Sequence, residues 1–312
     1  MFHVKQSPIS APEKCLLCDN KELTKHLELK DYFLTEEAFH IYHCPACSIM
    51  FTWPKPESHE LPAYYRSKDY ISHSNKKSDL QSRVYQFIRN YTLRQKIRLI
   101  RRFTKGNMIL DIGCATGEFL NQCKKRGYTT TGVEPDEQAR GYAAGVHGLN
   151  VTEPGELNNI PPLTFDVITL WHVLEHVEDP DERMEQIYRL LKPGGYVFIA
   201  LPNHASNDAS HYGKYWAAWD VPRHLFHYDR NSLKFLAEKH QFEISDIRPM
   251  LFDSYYISLL SEKYMNHSLC FIRAAYRGFV SNFMAGMGNN EYSSLIYILR
   301  KPGAKIKAAD AV

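Results

Sequence analysis

The sequence predicts an α/β fold, with a sheet covered by helices on both faces and a small cysteine-bearing module ahead of it. Three observations carry this. After Lys105-Gly106, apolar runs of strand length alternate with amphipathic runs of helix length. MILDIGCATGEFL (108–120) reads as a strand, a glycine turn and a helix start, which presents backbone N–H groups to a ligand. Two C-x-x-C pairs, Cys15/Cys18 and Cys44/Cys47, stand near the N-terminus. The 312 residues suffice for one large or two modest domains, and 44% apolar with 23% charged is an ordinary globular composition. A net charge of +3 is too weak to imply nucleic acid. No run of about 18 apolar residues exists, so no membrane span is expected. The opening MFHVKQSPIS lacks an apolar signal core, so a cytoplasmic location is expected.

Taken in order, residues 1–58 form the cysteine module, and WPKPESHELP (53–62), with three prolines, reads as an irregular connection. Residues 59–106 are a linker and a basic helical segment. Within it 63–77 is aromatic and polar without periodicity, and Asp79 to Phe103 is helical. Leu80, Val84, Phe87 and Tyr91 share one stripe, which Leu93, Ile97 and Ile100 continue on a shifted face. Residues 107–312 form the ligand-binding domain, with long insertions at 204–230 and 255–288. Its strands are expected at 108–112, 128–135, 149–151, 165–171, 196–203, 242–251 and 293–301. Helices are expected at 117–127, 136–145, 181–191 and 231–240, the third stopped by KPGG. Such alternation implies a parallel sheet, whose ligands bind beyond the carboxyl ends of the strands. That rule gathers Asp111 to Gly117, Glu134 and Trp171 to His176 on one rim.

The turn does not suit a phosphate. It runs Gly113, Cys114, Ala115, Thr116, Gly117, and Glu118 stands where a dinucleotide fingerprint has its last glycine. A carboxylate there suits the helix dipole and repels a pyrophosphate. Asp111 adds a second acid. Glu134 ends the next strand, at a separation suited to the two hydroxyls of a ribose. The turn reads as built for a positively charged nucleoside ligand without phosphate.

With FDVITLWHVLEHV and LLKPGGYVFIALPN following in order, residues 107–203 resemble the class I S-adenosylmethionine-dependent methyltransferases, whose fold is a Rossmann-like seven-stranded sheet. The resemblance implies that Asp111, Gly113, Cys114 and Gly117 cradle the methionine part of the cofactor and that Glu134 takes the ribose hydroxyls. It places Glu156, or Glu153, near adenine, and Trp171 and His172 at the sulfonium end. Ala115 stands where the family often has glycine, and is expected to keep a negative φ. Gln241 stands where similar proteins often have glycine.

His172, Glu175 and His176, at i, i+3 and i+4, are expected to share a helix face. They could hold a divalent ion, supply a general base, or only pack the loop; ubiquinone-type O-methyltransferases carry a similar L-E-H-V segment. Cys15, Cys18, Cys44 and Cys47 have the spacing of a closed, structural zinc site, and so small a module needs the metal to fold. His26, His40 and His43 are alternative ligands. The layout resembles both deoxysugar C-methyltransferases and certain ribosomal RNA methyltransferases.

In the insertion 204–230, Trp216, Trp219, Tyr212 and Phe226 could wall a flat acceptor. His211, His224 or His227 could take a proton, with His224 preferred, and Arg223 could hold an anionic group. The segment 255–288 could cover the acceptor, mediate a homodimer or, with no clean basic face, less readily lie on a membrane. The expected function is methyl transfer to oxygen or carbon of a small acceptor: a sugar, a quinone-like compound or a lipid-linked intermediate. The alternatives are RNA methylation, drawing on Arg83, Arg89, Arg94, Lys96, Arg98, Arg101 and Arg102, and cofactor binding without catalysis.

Overall fold

Seven strands form the central sheet, and their apolar runs explain their place in it. A computed structural model describes residues 10–65 and 80–303, with side chains in the long first helix from residue 88 onward. The expectations for 66–77, for the stripe Leu80, Val84 and Phe87, and for Arg83 lie outside the described residues. Strands β4 (Met108–Ile112), β5 (Thr129–Val133), β6 (Asn150–Thr152), β7 (Phe165–Trp171), β8 (Leu191–Pro202), β10 (Glu243–Pro249) and β11 (Ser294–Arg300) take the order β10-β11-β8-β7-β4-β5-β6. The strands from β4 to β8 pair in parallel, whereas β11 is antiparallel to both neighbours. The expected all-parallel sheet is thus corrected to a mixed Rossmann-like sheet. The third helix ends at Leu190, just ahead of KPGG as expected, but the strand expected at 196–203 starts earlier, at Leu191, and runs through KPGG.

Helix α1 (Leu80–Phe103) buries Leu93, Ile97 and Ile100 in one cluster with Ile109 and Phe198 of the sheet and Cys123 of the helix that follows β4. Helices α2 (Glu118–Lys124), α3 (Glu137–His147), α4 (Pro180–Leu190) and α6 (Arg230–Lys239) fill the crossovers. Local chemistry sets their starts: Asp136, Asp179 and Asp229 each accept a backbone N–H of the first turn. A short helix α5 (Asn207–Tyr212) opens the 204–230 insertion. Helices α7 (Asp253–Tyr264) and α8 (Cys270–Met287) follow β10. Because β10 runs parallel to β8, they lie beyond the carboxyl ends of the strands, beside the ligand rim.

A second, antiparallel sheet of order β1-β2-β3-β9 joins β1 (Thr24–Lys30), β2 (Ala38–His43) and β3 (Met50–Trp53) to β9 (Phe226–His227). Its fourth strand therefore comes from the 204–230 insertion. Thr52 N–H donates to the Leu225 carbonyl at 2.9 Å, and its hydroxyl to the His224 carbonyl at 2.6 Å. No helix among the described residues is long and apolar enough to cross a membrane.

Candidate functional site

The turn after β4 is shaped by three left-handed residues: Gly113 at φ 72°, Ala115 at φ 47° and Gly117 at φ 79°. A Cβ on Gly113 would meet Val173 Cγ2 at 2.4 Å, and one on Gly117 would meet Leu149 Cδ1 at 2.5 Å. Only glycine fits either position. The expected negative φ at Ala115 is overturned. The left-handed region costs an alanine about 1–2 kcal/mol, and the Ala115 N–H offsets this by donating to Glu134 Oε2 at 2.8 Å. Cys114 offers backbone only, since its thiol is buried against Gly132. Glu118 pairs with Arg89 at 3.8 Å and His147 at 3.6 Å.

Two rim acids are buried. Asp111 accepts the Thr169 hydroxyl at 2.6 Å. Burial pushes its carboxyl up to about 7, against the opposing pull of Thr169 and Lys96. Burial also raises Glu134, whose Oε1 accepts from Asp136 N–H at 3.0 Å. Each Glu134 oxygen keeps one lone pair for a ligand hydroxyl. Trp171, at the end of β7, meets the ring of Phe119 edge-on at 5.5 Å. Its Nε1–H is buried without a partner among the described residues, as is the Thr152 hydroxyl at the end of β6. Glu156 does not join these acids: it is exposed on the turn Pro154–Asn159 and accepts from the Asn159 amide, and Glu153 is exposed too.

Lys96, which the sequence offered only as part of a basic row for RNA, and Asp253, which it did not single out, are functional candidates. Lys96 Nζ lies 4.1 Å above the Trp171 ring, and burial lowers it to about 8 despite Asp253 and Asp111. Its sequence signal is its place beside the buried stripe Leu93, Ile97 and Ile100, whereas Arg94, Arg98 and Arg102 point outward. Asp253 takes His172 Nε2 at 3.0 Å, with Glu175 at 3.4 Å from Nδ1. Burial opposes charge on this ring, but the two carboxylates prevail and raise it to about 10. His172 is therefore an imidazolium at neutral pH, a poor base.

The helix face expected for His172, Glu175 and His176 does not form. His172 sits at φ 59°, and Leu174–His176 is one 3₁₀ turn. His224 takes the place expected for His172: one donor atom from each of Glu175, His176 and His224 lies within 4.8 Å of the others. The His176 and His224 rings stand 4.6 Å apart, edge to face. His176 Nδ1 meets the Arg223 carbonyl at 3.0 Å and His224 Nδ1 meets the Ala218 carbonyl at 2.8 Å. These carbonyls assign the proton to Nδ1 and leave each Nε2 as an acceptor. Burial and the neighbouring His224 lower His176 to about 4. Both Glu175 oxygens are buried, and apart from the His172 ring at 3.4 Å neither has a hydrogen-bond partner among the described residues. The trio can serve as a base pair or as a two-histidine, one-carboxylate cation site.

Arg223 does not anchor an acceptor. It is 1% exposed and bonds Asp31 at 2.8 Å and Asp220 at 2.8 Å, with the Tyr64 carbonyl at 3.2 Å. The aromatic wall is likewise corrected to core: Trp216, Trp219, Tyr212 and Phe226 are all buried. Trp216 donates to Asp208 and Trp219 to the Gly213 carbonyl, each at 2.9 Å. His227 is buried with Nε2 3.0 Å from the Thr52 hydroxyl, and His211 is exposed.

Cys15 and Cys47 place their sulfurs 3.7 Å apart, and Cys18 and Cys44 3.5 Å apart. Bonds of about 2.3 Å to a tetrahedral ion require sulfurs about 3.8 Å apart, so the four thiols can hold one ion. His26, His40 and His43 are not in this cluster.

A family model for the methyltransferase domain matches residues 85–247. The ubiquinone biosynthesis O-methyltransferase of Pseudomonas entomophila (strain L48) is 35% identical over 106 residues, 31% of this chain and 45% of that protein. The enzyme of the same name from Paracidovorax citrulli (strain AAC00-1) is 32% identical over 108 residues, 32% and 45% of the two chains. The chain thus spans about half the length of the curated relatives it matches. A solved SAM-dependent methyltransferase from Archaeoglobus fulgidus covers 72% of this chain and 100% of its own, at 21% identity and TM-score 0.49. With more than half of its length accounted for by a single domain description, the chain belongs to the methyltransferase-domain family.

Proposed function

We propose that the chain transfers a methyl group from S-adenosylmethionine to oxygen or carbon of a small acceptor, a sugar, a quinone-like compound or a lipid-linked intermediate. The observation that carries this is the acidic, glycine-turned rim. Glu134 and Asp111 are buried there with spare lone pairs, beside two buried donors without a partner among the described residues, Trp171 Nε1 and the Thr152 hydroxyl. Such a donor set fits a cationic nucleoside and does not fit a pyrophosphate. The relatives named for ubiquinone O-methylation support the reading. A cytoplasmic location goes with it.

In this reading Asp111 and the Gly113–Gly117 backbone hold the methionine part and Lys96 pairs with its carboxylate. Glu134 takes the ribose hydroxyls, and Trp171 borders the sulfonium. S-adenosylmethionine supplies the reactive methyl when bound. The protein aligns the acceptor and keeps water out. His224 Nε2 removes a hydroxyl proton, with neutral His176 beside it and Glu175 stabilising the resulting imidazolium. His172 acts as a positioning residue, tying Asp253 to Glu175. One zinc on Cys15, Cys18, Cys44 and Cys47 has no open position, so its role is to set the sheet that β9 completes, and through it His224.

Calorimetry tests the cofactor assignment. Glu134→Ala should lose about tenfold or more in affinity, because a charge-assisted hydrogen bond contributes about 1.5–3 kcal/mol. Equal binding by the variant would remove the ribose role, and preferential binding of NAD would remove the whole reading. Mass spectrometry of metabolites and RNA from cells with and without the active protein identifies the acceptor.

A further inference from the structure

Helix α8 is built inside out for a water-facing helix. Ala274, Gly278, Ser281 and Ala285 form its buried face. A Cβ on Gly278 would meet the Tyr255 ring at 2.6 Å, so the small residues let α8 close on α7. The large apolar residues point the other way. Ile272, Tyr276, Phe279, Phe283 and Met287, spaced three and four apart, share one face and are 67%, 62%, 57%, 53% and 74% exposed. A contiguous apolar patch of this kind marks a binding surface.

Helix α8 itself carries only Arg273, held by Glu262 at 2.7 Å, and Arg277; a longer basic row is supplied by α1, remote in sequence. Asn282 donates to the Leu251 carbonyl at 2.9 Å, which sets exposed Leu251 and Phe252 beside the stripe. Phe252 meets exposed Tyr91 of α1 edge-on at 5.9 Å. From Tyr91, the same face of α1 continues as Arg94, Arg98 and Arg102, all exposed. Helix α1 contains no acidic residue from Leu80 to Phe103, and α8 contains none either.

We infer that this composite face docks on an anionic lipid bilayer, with α8 lying in the interface plane and the arginines of α1 meeting headgroup phosphates. Apolar burial and basic charge together supply the two signals that stable peripheral binding needs. A second copy could cover the apolar stripe, but neither α1 nor α8 offers an acidic residue to meet the arginines. An RNA backbone would match the arginines and leave Ile272, Phe283 and Met287 in water. The face adjoins the rim, because α7 begins at Asp253, the partner of His172. Combined with the methyl-transfer reading, on which this last step rests, it selects a lipid-borne acceptor.

Co-sedimentation of the full chain with vesicles tests the docking. Phosphatidylcholine vesicles containing phosphatidylglycerol should carry it down, vesicles of phosphatidylcholine alone much less, and added salt should release it. Phe279→Asp with Phe283→Asp should weaken binding at least about tenfold. Arg94→Glu with Arg98→Glu should weaken it on the anionic vesicles only. Cofactor affinity should stay unchanged in both. Failure to bind anionic vesicles overturns the inference. So does a dimer that the phenylalanine variant dissociates, or an RNA homopolymer that displaces the vesicles. Vesicle binding by a chain that binds no S-adenosylmethionine leaves the docking standing and removes the methyl-transfer reading; the reverse pattern removes the docking alone.

Discussion

Arg223→Met keeps a long apolar stem and removes the guanidinium from a buried cluster. Asp31, whose side chain is 0% exposed, would lose two bonds from Arg223, at 2.8 and 3.3 Å. It would keep the N–H groups of Phe33, Leu34 and Thr35 and the Thr35 hydroxyl. Asp220, 23% exposed, can regain water. Breaking a buried ion pair from one side costs about 3–5 kcal/mol; the bonds left to Asp31 and the exposure of Asp220 place this case near the lower figure. Urea unfolding should show that loss, and hydrogen exchange should locate it in β1, β2 and the 220–228 segment. Turnover should fall, because His224 is the next residue, while cofactor affinity holds. A variant as stable as the parent, with a raised KM for an anionic acceptor and unchanged kcat, would refute the reasoning and return Arg223 to the substrate.

The Asp111 carboxyl, raised by burial to about 7, is neutral below that pH and charged above it. Affinity for the cationic cofactor should therefore rise as pH rises toward about 7 and level off above it, with proton release below about pH 7 seen by calorimetry in buffers of different ionisation enthalpy; a flat profile with no proton release would remove Asp111 from the site. Elemental analysis should find about one zinc per chain, and chelation should loosen β1–β3 and lower turnover while sparing cofactor affinity. A metal-free chain of equal proteolytic resistance contradicts this. His224→Asn should cost about 10²–10⁴-fold in turnover at unchanged cofactor affinity. Full turnover by that variant, with loss in His176→Asn, would move the base to the rim.

The central sheet was legible where period and motif coincide. Strands β4 and β7 fall at the expected 108–112 and 165–171, because each is a mostly apolar run between turn signals. Strands β1 to β3 were not legible, since they lie among cysteine turns and carry many polar residues, as in TKHLELK and AFHIYH. Two-residue β9 has no period at all. Rim acids could be read from their offsets to the glycine turn. The roles of Arg223 and His172 could not, because their partners Asp31 and Asp253 are distant in sequence, and only tertiary contact decides whether a polar group is free or spent.

The closing of the small sheet by β9 also sets an order of events during synthesis. Thr52 waits for His227, 175 residues later, before its hydroxyl and its strand edge are satisfied. Until then β3 is an open edge, the kind that recruits other chains. The cysteine region therefore cannot mature first and wait as a finished unit. A fragment ending before residue 225 should aggregate even with zinc supplied; one ending just past residue 228 gains β9 but leaves β8 without β11, so only a chain carrying both strands should stay soluble.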